Sequence, residues 1–122
     1  MSKTILIVDD ALSVRKVVGM ALKDAGYEVI EASDGKDAVV KMGAKKLNLI
    51  ICDLNMPNMD GIGFLNHVKA SPSHKFTPVI MLTTESAEDK KAQARAAGAK
   101  AWLVKPFQPS TMLEAVAKIC LP

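Results

Sequence analysis

Four apolar runs in this chain end on side chains suited to handling charge. Ile5–Val8 leads into Asp9 and Asp10, Leu49–Cys52 into Asp53, Val79–Leu82 into Thr83, and Trp102–Val104 into Lys105. If the runs are parallel strands of one sheet, all five residues meet along one edge. Three carboxylates brought that close repel one another, and each raises the others' pKa unless a cation neutralises them. A small, all-oxygen ligand set suits a hard ion that keeps several waters, which favours magnesium. An aspartate beside such an ion can itself be the nucleophile and take a phosphoryl group as an aspartyl phosphate. Asp53 is the candidate acceptor, and Lys105 is placed to pair with a phosphoryl oxygen as a point charge.

Other phosphate chemistry fits less well. A preformed anion site after the first strand needs small residues and free backbone donors, whereas Asp9-Asp10-Ala11-Leu12 would repel a phosphate. No Walker A sequence is present. Gly61-Ile62-Gly63 only echoes a dinucleotide fingerprint, and a long loop separates it from the preceding strand. A magnesium phosphatase working through an aspartyl phosphate is an alternative. Such enzymes usually carry an acid/base helper two residues after the nucleophile of the first strand, and here that position is Ala11.

The elements that would position these residues alternate. Strand-length runs at Thr4–Val8, Glu28–Ala32, Asn48–Cys52, Pro78–Leu82 and Ala101–Val104 are separated by segments with helical periodicity. Ser13 to Ala25 has Val14, Val17, Val18, Ala21 and Leu22 on one stripe, with Gly26 just past its end. Asp34, with Asp37 three residues on, opens a helix to about Ala44 in the manner of a capping box. A helix from Gly61 to Ala70 stops at Ser71-Pro72-Ser73. Ser86 and Asp89 mark a fourth helix that ends near Gly98. Pro109 sits where a first helical residue belongs, before a last helix to about Cys120. Five strands alternating with five helices predict an α/β fold, a doubly wound parallel sheet covered on both faces. The first, third and fourth strands are near-continuously apolar, as central strands are. The second carries Glu28 and Glu31, and the fifth is flanked by Lys100 and Lys105, so these two suit the edges.

Composition narrows the class further. At 122 residues with 49% hydrophobic content, the chain is expected to be one domain, residues 1–122, with no output domain attached. Its formal charge of +3 comes from 16 basic and 13 acidic residues spread along the sequence, which argues against a nucleic-acid footprint. No apolar run approaches the ~20 residues needed to span a bilayer, and no signal-peptide stretch opens the chain, so no membrane contact and a cytoplasmic location are expected. Cys52 and Cys120 match no metal or redox spacing and read as buried free thiols. His67 and His74 have no partner in sequence and read as surface or capping residues.

Taken together, Asp9-Asp10, Asp53 with Met56-Pro57 in its loop, Asp60-Gly61, Thr83 and Lys105-Pro106-Phe107 resemble the receiver domain of bacterial two-component response regulators. The resemblance covers the whole chain. The run from Asn55 to Gly61 is similar to the same loop in single-domain, CheY-like chemotaxis receivers. Those receivers are a standard example of the flavodoxin-like strand order 2-1-3-4-5, and the order is borrowed from them. The resemblance implies magnesium held by Asp10, Asp53 and the Asn55 carbonyl, with Asp9 acting through water. It implies Asp53 as phosphoacceptor, Thr83 as the hydroxyl that swings to the phosphate, and a cis bond between Lys105 and Pro106. Asn55 and Glu85 would tune dephosphorylation. Trp102 occupies the place of a switch aromatic on the face made by the fourth helix, fifth strand and fifth helix, although half-buried packing also accounts for it. The implied partners are a sensor histidine kinase (CheA-like) as donor and a flagellar motor switch protein as one reading of the output. A phosphate sink without an output partner is the other. The implied role is a phosphoacceptor signalling protein rather than an enzyme, one that assists its own magnesium-dependent phosphorylation and dephosphorylation.

Overall fold

The computed structural model describes residues 3–56, 59–83 and 88–121. Among these, strands and helices alternate as β1 Thr4–Val8, α1 Leu12–Asp24, β2 Glu28–Ala32, α2 Gly35–Met42, β3 Leu49–Asp53, α3 Gly61–Ala70, β4 Val79–Thr83, α4 Glu88–Ala96, β5 Ala101–Val104 and α5 Pro109–Ile119. The strands form one parallel sheet in the order β2-β1-β3-β4-β5. This is the expected α/β topology, with the two charged strands at the edges.

Strand side chains alternate between faces, so each central strand feeds two cores. Leu6, Val8, Ile50, Cys52, Val79 and Met81 face Met42, Phe64, Leu65 and Val68 of α2 and α3. Ile5, Ile7, Leu49, Ile51, Ile80 and Leu82 face Val18 and Leu22 of α1 and Met112 and Val116 of α5. The large apolar side chains of β1, β3 and β4 are essentially without exposure, which explains why these segments read as unbroken apolar runs.

Two strands run further than their apolar runs. Asp53 and Thr83 still pair in the sheet, with Leu82 and Val104 respectively. Helix ends follow local hydrogen bonding. Asp34 caps α2 by accepting from the Asp37 backbone N–H, while the Asp37 carboxylate accepts from the Ser33 N–H one residue further back than a standard capping box. The helix stops at Met42, short of Ala44. Asp60 caps α3 by accepting from the Gly63 N–H. Gly26, with φ 102°, leaves α1 through the left-handed region as its position suggested.

Cys52 and Cys120 are buried and free. Of the two expected roles, surface or capping, His67 takes the first, being exposed, and His74 the second. It is buried, with Nε2 2.9 Å from the Gly43 carbonyl, so it closes the end of α2 and does so from inside the fold. No helix among the described residues is long and apolar enough to cross a membrane.

Candidate functional site

β1 and β3 are direct neighbours with Val8 opposite Cys52. Asp9 and Asp53 therefore lie side by side at the carboxyl edge of the sheet. Asp9, Asp10 and Asp53 each offer a carboxylate oxygen within 4.8 Å of the others. Their burial differs sharply: Asp9 is fully buried, Asp53 nearly so, and Asp10 is exposed. β5 brings Lys105 in from the other side, where Nζ lies 2.7 Å from Asp9 Oδ2 and 3.4 Å from Asp53 Oδ2. The Lys105–Pro106 peptide is cis. The Lys105 N–H donates to the Thr83 carbonyl at 2.6 Å, tying the ends of β4 and β5 together. Thr83 itself is buried at that edge.

The charges are out of balance. Burial raises the Asp53 pKa above the ordinary carboxylate value, and the neighbouring Asp9 charge adds to it. The Lys105 charge and hydrogen bond, with a backbone hydrogen bond from Asn55, pull the other way without cancelling the rise. For Lys105, burial lowers the pKa, but the Asp9 hydrogen bond and the charges of Asp53 and Asp9 leave it above the ordinary lysine value. One ammonium, paired with Asp9 and Asp53, thus stands against a group of three carboxylates. The exposed carboxylate of Asp10 and the Asp9–Asp53 repulsion that helps raise the Asp53 pKa call for a hard divalent cation, which an all-oxygen set of this size would hold with water completing the shell. The residues present fit magnesium.

Arg15 escaped the reading of the chain, and Gly61 was read only as a helix start and part of the family motif. The Arg15 guanidinium donates from Nη1 to the Asp9 carbonyl at 2.6 Å, while its Nε is 3.3 Å from Glu31 Oε1 on β2. It pins the turn that carries Asp9 and Asp10, assisted by the Ala11 N–H donating to Asp9 Oδ1. Its place one helical turn after that loop was the only signal. At Gly61 a Cβ would lie 2.4 Å from the Asp53 carbonyl oxygen and 2.7 Å from Leu54 Cα, so only glycine lets α3 start directly against the end of β3. Its role is close packing, not nucleotide binding.

Asn55 is exposed beside Asp53. Trp102 is half-buried on β5, with Lys91 Nζ 5.1 Å from its ring centroid. Pro57, Asn58, Thr84, Glu85 and Ser86 lie outside the described residues.

Residues 5–117 match the family model described as the response regulator receiver domain. The chain belongs to the response regulator receiver family. It is 36% identical over 116 residues to chemotaxis protein CheY-3 of Vibrio cholerae serotype O1, covering 94% of this chain and 89% of that protein. It is equally identical to chemotaxis protein CheY of Pseudomonas aeruginosa, with 94% of both chains covered. Among solved structures it is similar to chemotaxis response regulator CheY4 of Vibrio cholerae, with a TM-score of 0.93 and 44% identity over 98% of this chain and 99% of that one. As a receiver domain it is a two-component signalling module, not an enzyme with a separate substrate to turn over.

Proposed function

We propose that this chain is a stand-alone response regulator that takes a phosphoryl group onto Asp53 from the phosphohistidine of a CheA-like sensor kinase. The observation that carries this reading is the meeting of three carboxylates and one ammonium at the sheet edge. An Asp53 oxygen attacks phosphorus as the phosphorus–nitrogen bond breaks. The electron pair of that bond leaves with the imidazole, and the new phosphorus–oxygen bond is a mixed anhydride. Lys105, already between Asp9 and Asp53, can turn its ammonium to a phosphoryl oxygen. Asp10, Asp53 and the Asn55 carbonyl would hold magnesium directly, and Asp9 through water. The bound ion supplies charge neutralisation for the transferred group. Thr83 then donates its hydroxyl to the phosphoryl group. Asn55 and Glu85 set the lifetime of the anhydride by controlling the path of attacking water.

Phosphorylation replaces one carboxylate charge with about two negative charges. The response spreads to the face formed by α4, β5 and α5, where an output partner binds. A chemotaxis role in the cytoplasm, with a motor switch protein as partner, is supported by similarity to relatives named as chemotaxis proteins. The nearly full mutual coverage of those relatives supports one receiver domain across the chain. The decisive experiment is labelling by a phosphorylated kinase or acetyl phosphate with magnesium. Wild-type protein is expected to become labelled and Asp53→Asn is not. A folded Asp53→Asn protein that still takes label at the wild-type rate would overturn the assignment.

A further inference from the structure

We propose that Lys91 is a latch that holds Trp102 outward, and so opposes the switch of the α4–β5–α5 face. The inference rests on the phosphoacceptor reading above and adds a regulator of it.

α4 is weakly anchored. Its sequence is Glu-Asp-Lys-Lys-Ala-Gln-Ala-Arg-Ala, and from Lys91 onward its one buried residue is Ala94. Ala97 and Ala99, just beyond it, pack only partly against the core. No large apolar side chain from this stretch of the helix fixes it to the sheet. Lys91 supplies a different attachment. Its ammonium lies 5.1 Å from the Trp102 ring centroid, inside the ~6 Å reach of an attractive cation–π contact. Both residues are half-buried, so the contact is partly sheltered from water.

The sheet register connects this contact to the phosphoacceptor edge. Met81 pairs with Trp102 and Thr83 with Val104. Residues two apart in a strand share a face, so Thr83, Met81 and Trp102 project to the same side, the side whose core includes Ala94 of α4. A Thr83 side chain drawn toward a phosphoryl group on Asp53 vacates space on that side. Trp102 is the large neighbour able to turn into it. Doing so takes the ring away from the Lys91 ammonium. The cation therefore stabilises the outward ring alone, and a contact made in one state shifts the equilibrium toward that state.

Trp102 is the sole tryptophan, so its emission reads the switch directly. The experiment titrates magnesium and beryllofluoride, an acyl-phosphate mimic, into wild type, Lys91→Met, Lys91→Arg and Asp53→Asn. Methionine keeps an apolar stem without the charge, and arginine keeps the charge. The wild-type emission is expected to change on titration. Lys91→Met should start nearer the saturated signal and reach its midpoint at about threefold lower beryllofluoride, while Lys91→Arg follows wild type. A Lys91→Met curve that superimposes on wild type would overturn the latch, as would an arginine variant that behaves like methionine. An Asp53→Asn protein that responds like wild type would instead overturn the phosphoacceptor reading. Fluorine NMR showing bound beryllofluoride with no change in emission would remove the ring's movement, and the latch with it.

Discussion

Asp53 is held at a cost that its neighbours only partly offset. Its pKa is raised by burial and by Asp9, so the folded chain retains that proton more tightly than the unfolded chain. Stability contributed by the group then falls as pH rises from the ordinary aspartate range through the folded value. Without divalent cation at neutral pH, Asp53→Asn should therefore stabilise the protein, by about 1 kcal/mol, the common scale for relieving a functional site. Urea unfolding checks this, and a loss of stability would show that Lys105 outweighs the repulsion. Lys105→Met should do the reverse. It strands the Asp9 carboxylate, which is fully buried and 2.7 Å from the ammonium. Removing one partner of a buried pair costs about 3 kcal/mol, and adding Asp9→Asn should recover most of it in a double-mutant cycle.

At the scale of elements, the start of α3 is the least tolerant place. Gly61→Ala puts a Cβ into the backbone of Asp53 and Leu54, so it should cost about 2–3 kcal/mol as overpacking and displace the acceptor. Gly63→Ala meets only side-chain atoms at 3.3 Å and gains helix propensity, so its change should stay within about 1 kcal/mol. Chemical denaturation of the pair tests the contrast. The elements themselves were legible because the central strands are buried on both faces, which leaves an unbroken apolar signal, and because Asp34, Asp60 and Pro109 mark helix starts chemically. Asp9, Asp53, Thr83 and Lys105 were legible because each directly follows such a signal. Arg15 was not, nor were the close packing at Gly61 and the burial of His74. What each does depends on a backbone carbonyl or close approach from elsewhere in the fold, and residue type carries no trace of that. The last strand residues were missed for a related reason: Asp53 and Thr83 are polar, yet they still complete the ladder.

Seen whole, the molecule gathers six lysines away from its carboxylate cluster. Lys3 and Lys100 precede β1 and β5, Lys45 and Lys46 precede β3, and Lys23 and Lys118 lie in the last turns of α1 and α5. Parallel strands bring all six to the end opposite the carboxylates. They read as scattered along the sequence because they come from separate strand starts and helix ends; Lys23 and Lys118, in last helical turns, also complement the helix dipole. The acidic end then dominates the response to metal. Magnesium at ten times its dissociation constant should add about 1.4 kcal/mol of stability by mass action, or roughly 4 °C in Tm for a chain of this size, and chelation should reverse the gain in a thermal melt. The acceptor also comes with its own stopwatch. The Cys52 thiol, next to Asp53 in β3 but turned to the opposite face of the sheet, is wholly enclosed, with its pKa driven well up by burial and the nearby carboxylates. An alkylating reagent can reach that sulfur only when the middle of the sheet opens. Its rate of capture, followed by mass spectrometry with the less enclosed Cys120 as internal reference, clocks how often the strand that carries the phosphorylation site breathes.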